Sequence, residues 1–339
     1  MVSEIDSNLL ERSIGGMTPE IVPPLRLDRS EAYSIFHERW WLDIATHGHW
    51  STATVMHGGQ VLGEMPYYVA RKGMWRVSRL PPLTRSLGPV VKPLGLDAVR
   101  DFRHRLHVTS QLIEQLPNFD SFFQVFDHRV EDAVAFALRG FTVSARYTFH
   151  ISPDCSAAQA WARMHSKTRN SIRSAYKKLT VAPIDAPSEF LTFYEGNLAS
   201  RSRTNAYGTA VMRELVNAFV DRKAGRLLGA YDSCGKLAGA IGLVWDRDAV
   251  YYLLSSRAQG SPSGAISLLI WVAIQEAIDR KLTFDLDGFS GVATFNFLSG
   301  FGGTLKQRLG VERLSTVYSV ARTLKHSVAS NWEAFAPNL

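Results

Sequence analysis

The chain has 339 residues, 46% of them hydrophobic and 20% charged, a usage that excludes a collagen-like or largely disordered chain. That length suits two domains. Its 38 Lys and Arg against 31 Asp and Glu give a net charge of +7, which favours anionic ligands such as phosphates over cationic ones.

In chain order, strands are predicted at 51–56, 60–70 and 74–80, separated by Gly58 with Gly59 and by Arg71, Lys72 and Gly73. Runs of β-branched, aromatic and aliphatic residues between turn formers read as an antiparallel meander. A Pro/Gly-rich loop follows over 81–95, then a helix over 96–116 and a strand over 121–127. A Pro/Asp/Ser stretch near 152–160 marks the expected boundary, and a helix is predicted over 157–179. The second half then repeats the order: a meander of strands at 226–231, 236–245 and 249–257, a helix at 263–281 with apolar residues at helical spacing, and a strand at 282–286. The repetition reaches further, since Leu138, Arg139, Gly140 and Phe141 are echoed by Leu298, Ser299, Gly300 and Phe301. The expected fold class is therefore α/β (α+β), with two tandem units, 1–152 and 153–339, each a mixed, mainly antiparallel sheet flanked by helices. Two unrelated α+β halves with coincident turns are the alternative.

Three segments carry candidate chemistry. The first is the loop Arg257, Gln259, Gly260, Ser263 and Gly264, where a strand ends and a helix begins. Free backbone N–H groups and a helix start suit a pyrophosphate, with both glycines admitting the ligand; Ser263 as a simple N-cap is the other reading. The second is the helix over 157–179, where Arg169, Arg173 and Lys177 stand four apart with no acidic residue beside them. This stripe is either a docking face for a phosphorylated substrate or a solvated helix face. The third is the run 284–303. Alternation puts Asp285 and Asp287 on one side of a strand, and Asp287 with Asn296 near it is the pair expected to orient or deprotonate a nucleophile; capping of the next turn is the plainer role. Only two cysteines occur, Cys155 and Cys234, without metal-ligand spacing, so no metal is expected. Glu4, Asp6 and Glu11 interrupt the N-terminus, and the longest apolar stretch, 265–274, is shorter than the roughly 20 residues of a membrane span. A cytoplasmic chain without an integral membrane segment is expected, its oligomeric state open.

Trp161 with Lys167, Arg169, Ile172 and Arg173, then Leu268, Leu269, Trp271 and Ala277, then Phe284, Asp285, Leu286, Gly288 and the run 297–303 resemble the FemAB-type double-GNAT acyltransferases. Within that family the similarity is to acetyltransferases associated with cellulose and exopolysaccharide biosynthesis. The resemblance implies two GNAT-like domains, a degenerate first one on the acceptor side and a second one holding the donor. It implies an enzyme that transfers an acyl group to an amine of a small molecule or cell-envelope precursor, with acyl-CoA as co-substrate and no metal. Rate would come from positioning and from N–H groups that polarise the donor carbonyl. Arg169, Arg173, Tyr207, Phe297 and Phe301 are the residues expected to contact substrate. Peptidoglycan-type members carry a Lys where this chain has Leu298, which favours an acyl thioester over aminoacyl-tRNA as donor. An aminoacyl-tRNA-dependent transferase and a non-catalytic double-GNAT scaffold are the rival readings.

Overall fold

The computed structural model describes residues 34–289 and 291–324. After a short 3-10 turn at Ile35–His37 the elements run α1 (Arg39–Ala45), β1 (Trp50–His57), β2 (Gln60–Lys72), β3 (Trp75–Ser78), β4 (Val90–Val91), α2 (Ala98–Glu114), β5 (Ser121–Val125), α3 (Val134–Leu138) and β6 (Thr142–Ile151). There follow α4 (Ala157–Arg163), α5 (Ser166–Tyr176), β7 (Thr180–Pro183), α6 (Pro187–Ala199), α7 (Thr209–Asp221), β8 (Gly225–Tyr231), β9 (Leu237–Trp245) and β10 (Ala249–Arg257). The last elements are α8 (Ala265–Asp279), β11 (Thr283–Gly288), α9 (Val292–Ser299) and β12 (Thr304–Leu314).

The chain divides into two compact units, one of residues 34–146 with 308–324 and the other of 147–307. We call them the N-terminal and C-terminal units. The expected junction at 152 assigns all later residues to the second half, whereas here the chain changes unit inside β6 and returns inside β12. Each unit has the expected meander, helix and parallel strand, and the fold class is the mixed α/β one expected. In the N-terminal unit the strand order is β1-β2-β3-β5-β12, with β4 on β2; in the C-terminal unit it is β6-β11-β10-β9-β8-β7. Neighbours are antiparallel except β3 with β5 and β10 with β11. Those two parallel pairs are the strands joined through a helix, as a parallel connection requires.

Local sequence explains the element ends. Asp97 caps α2, its carboxylate accepting from the Arg100 N–H, and Ser156 with Gln159 forms a reciprocal capping box on α4. The helix expected over 157–179 is two helices. Met164 leaves helical geometry with ψ 146°, and His165 starts α5 by accepting the Lys167 N–H at its Nδ1. The N-terminal core packs Val108, Leu112 and Ile113 of α2 against Phe122, Phe126, Phe136 and Phe141. In the C-terminal unit the long apolar α8 is buried almost throughout, against Trp161, Ile172 and Ala175 on one side and Leu228, Ile241, Val250, Phe284 and Leu286 of the sheet on the other. Helices α6 and α7 touch β8, β9 and β10 through residues outside that cluster, which leaves the end of β10 between α6 and α8.

Candidate active site

Strand β10 pairs with β11 over only three rungs, Ala249↔Thr283, Val250↔Phe284 and Tyr251↔Asp285, while its pairing with β9 continues to Arg257. Beyond Tyr251 the two parallel strands therefore diverge. The register against β9 also slips between Tyr252 and Leu254, a bulge that re-aims the strand at the point of divergence. Roughly 20 Å of strand separates that point from Arg257.

At the far end of β10 lies a hollow of about 500 Å³. Ser255, Ser256 and Arg257 line it from the strand, Tyr194, Asn197 and Arg201 from α6 and the turn after it, and Ile266 from the first turn of α8. The polar groups brace one another: the Asn197 side-chain amide donates to Ser256 Oγ at 2.9 Å, and the Arg201 guanidinium donates to the Arg257 carbonyl at 2.8 Å. The Arg257 guanidinium reaches back 3.5 Å to the Ser261 carbonyl of the following loop. Among the described residues neither arginine has a carboxylate partner. Two unneutralised guanidinium groups in one concavity, beside the start of a helix that no side chain caps, create a positive potential suited to phosphate.

A second cluster sits at the last parallel rung. Asp285, 1% exposed, accepts from Thr148 Oγ1 and faces His150 Nε2 at 3.2 Å; His150 is itself 6% exposed. The same carboxylate accepts the Asp287 N–H at 2.9 Å, and Thr148 Oγ1 also reaches the Asp287 carbonyl at 2.8 Å. These bonds hold Asp287 in the left-handed region at φ 68°, a conformation that costs a non-glycine residue about 1 kcal/mol or more. The register against β6 shifts between Asp285 and Gly288, so the expected strict alternation ends at Asp287.

The corresponding place in the N-terminal unit is filled. Strands β3 and β5 pair in parallel over Val77↔Ser121 and Ser78↔Phe122. Beyond them the loop after β3 returns, and the Leu87 N–H donates to the Val125 carbonyl at 2.8 Å in a parallel bridge to Phe126. Leu83, Ser86 and Leu87 are buried, and Gly88 lies so close that a Cβ there would be 2.4 Å from the Phe126 ring. Next to this insert, burial pushes the imidazole of His37 down to about 4, opposed by Asp127 and by a hydrogen bond to the Gly88 backbone, with Arg129 lowering it further. Burial raises the Asp127 carboxyl, but Arg129, bonded at 2.8 Å, more than offsets this and holds it below the usual carboxylate range.

Residues 166–296 match the family profile described as an Acetyltransferase (GNAT) domain. The crystal structure of FemX superposes with a TM-score of 0.64 at 11% identity, covering 84% of this chain and 94% of that chain. The C-terminal domain (DUF2156) of a putative lysylphosphatidylglycerol synthetase from Agrobacterium fabrum follows at 0.54, with 13% identity and coverage of 83% and 89%. A conserved protein of unknown function from Bacteroides thetaiotaomicron gives 0.53, with 11% identity and coverage of 81% and 90%. The chain has a FemAB-like GNAT fold. No curated protein matches it in sequence.

Of the site residues expected from sequence, Arg257 alone lines the hollow of the GNAT unit. Gln259, Gly260 and Ser263 are exposed on the loop that leads from it, and Gly260 is in the open at φ 78°. Gly264 is a correction. It is the N-cap of α8, in place of Ser263, and a Cβ there would lie 2.2 Å from the Ser171 carbonyl, so its lack of a side chain admits α5 rather than a ligand. Arg169 is a second correction: its guanidinium donates to the carbonyls of Trp161, Ala162 and Met164, which ends α4. Arg173 lies over the Trp161 ring at 5.3 Å. Phe301 is wholly buried and edge-on to Phe297, so it packs the core and meets no substrate; Phe297 itself is exposed. Tyr207 is half-buried in the turn after α6, its N–H bonded to Asn205 Oδ1. Asn296 is exposed on α9 and Asp287 ends β11; no bond joins them.

Sequence reading missed Arg201, Asn197 and His150. The run Arg201, Ser202, Arg203, Thr204 and Asn205 was a visible basic turn. Thr148 and His150 alternating with Phe149 and Ile151 marked a strand with one polar face, yet the partner of His150 lies 135 residues away. Among the described residues no group of His, Cys, Asp and Glu is placed to hold a metal, and no helix is long and apolar enough to cross a membrane.

Proposed function

We propose that the protein is an N-acyltransferase that moves an acyl group from an acyl thioester, carried by CoA or an acyl carrier, to an amine of a small molecule or cell-envelope precursor. The observation that carries this reading is the divergence of β10 from β11 on a strand that ends in the hollow of Arg201 and Arg257. A donor whose phosphates sit far from its reacting carbonyl fits roughly 20 Å of strand between the two positions. Arg201 and Arg257 hold the phosphates, with Gln259, Gly260 and Ser263 on the loop beside them. The amine nitrogen attacks the thioester carbon, the C–N bond forms as the C–S bond breaks, and the thiol leaves. One proton passes from the amine to Asp287 or solvent, and the thiolate takes one up. Asn296, Tyr207 and Phe297 contact the acceptor.

The test is a thermal-shift series on the full chain with CoA, acetyl-CoA, longer acyl-CoAs and charged tRNA. Acyl-CoA stabilises the wild type by mass action, and Arg257→Ala weakens its binding about tenfold, the size of one charge-assisted contact. Stabilisation by charged tRNA with none from any acyl-CoA assigns the donor to the aminoacyl class instead. Equal acyl-CoA binding by Arg257→Ala moves the donor site elsewhere.

A further inference from the structure

Two features of the C-terminal unit are unused by the donor site, and they adjoin. Helix α9 reads Val-Ala-Thr-Phe-Asn-Phe-Leu-Ser without a charge; Val292 is 76% exposed, and Phe295, packed on Phe149 and Phe289, is 38% exposed. Apolar groups gathered at the start of an exposed, charge-free helix mark a surface suited to a partner. The second feature is the basic segment over α4 and α5. Its polar chemistry is now divided, since Arg169 caps α4 and Arg173 lies on Trp161, while Arg163 and Lys167 remain exposed and, among the described residues, without a carboxylate partner.

The C-terminal end of α9 is pinned to the turn that bears those two cations. The Gly300 carbonyl accepts from the His165 N–H at 2.9 Å. A Cβ on Gly300 would strike Thr168 Oγ1 at 2.4 Å, and one on Gly302 would strike the Arg163 carbonyl at 2.4 Å. The two segments themselves, residues 155–184 and 288–311, contain no Asp or Glu, and Asp154 and Asp287 stand just outside them. Apolar side chains on a short helix, with cations beside its C-terminal end, match the boundary of an anionic bilayer, where the apolar groups enter the acyl region and the cations meet headgroup phosphates. A nucleic acid would use the cations but gain nothing from a bare Val292.

We propose that α9, with Arg163 and Lys167 at its edge, seats this protein on an anionic lipid surface. None of these residues lines the hollow beside Arg257, so the lipid contact and the donor site stand or fall separately. The experiment is flotation of the full chain with vesicles of phosphatidylcholine mixed with phosphatidylglycerol, and of phosphatidylcholine alone, at low and high salt. The wild type floats with the mixed vesicles, less so as salt rises, and stays behind with phosphatidylcholine. Arg163→Ala and Lys167→Ala each weaken partitioning about fivefold, the worth of one basic residue at such a surface. Val292→Asp, at a position too exposed to disturb the fold, weakens it roughly tenfold or more; an unchanged melting temperature confirms the fold. A wild type that never floats overturns the proposal. So do variants that float like the wild type. Binding to a single-stranded RNA that falls in the Arg163 and Lys167 variants, while Val292→Asp leaves vesicle binding intact, also overturns it and makes the patch a nucleic-acid surface.

Discussion

The two units build the same meander, helix and parallel strand, and they differ at the place where the parallel strands part. In the C-terminal unit β10 leaves β11 after Tyr251, and its end opens on a hollow with two guanidinium groups that, among the described residues, have no carboxylate partner. In the N-terminal unit β3 leaves β5 after Ser78, and the chain's own Leu87 occupies the gap, bonded to Val125. A strand pair that diverges exposes backbone groups that must be satisfied by something. One unit satisfies them with a loop of its own. The other leaves room for a ligand.

The comparison can be broken most severely at Gly88. With φ 125° and a Cβ destined for the Phe126 ring, Gly88→Ala combines backbone strain with overpacking and should cost about 4 kcal/mol of stability in a denaturant titration. Leu87→Ala, by emptying a fully buried site, should cost roughly 3 to 4 kcal/mol. The same variant sharpens the contrast: calorimetric titration of acyl-CoA should still give one site per chain, because the cavity left in the N-terminal unit gains no cation. Two sites would show that the insert alone distinguishes the units.

Next in size is a pH effect next to the insert. His37 has its folded pKa lowered to about 4 from 6.5, so below pH 6.5 the unfolded chain takes up a proton that the folded chain refuses. Stability present above pH 6.5 is lost as the pH falls toward 4, by about 3 kcal/mol in total. His37→Gln should flatten that part of the stability profile, whereas the loss from Asp127, whose carboxyl is held low, comes only at more acidic pH. The smallest effect is expected at the open unit. Arg201→Ala should weaken acyl-CoA binding about tenfold, the low end for one hydrogen bond to a charged group, and shift stability by no more than about 0.5 kcal/mol.

Much of this architecture was legible in the sequence because periodicity reports local burial. Strand β10 and helix α8 were placed nearly to the residue, and the echo of Leu138 to Phe141 in Leu298 to Phe301 marks two short helices, α3 and α9, each followed by a strand. The break between α4 and α5 was hidden, since the apolar spacing runs on through Met164. Site residues were harder for a physical reason. Gly264 looked like room for a ligand because sequence cannot say which neighbour approaches a glycine; here it is Ser171. Arg169 looked like a surface cation, but its carbonyl partners end a helix that the sequence had not divided. Only Arg257, fixed by strand position alone, kept its expected place at the hollow.

The exchange of unit inside β12 bears on synthesis. Residues 310–314 pair with Ser121–Val125, and Val311 lies in the core of the N-terminal unit. On the ribosome residues 34–146 therefore emerge without one of their sheet neighbours and must wait for the whole C-terminal unit to follow. Any stop codon or cleavage ahead of residue 308 strips a strand from the unit made first.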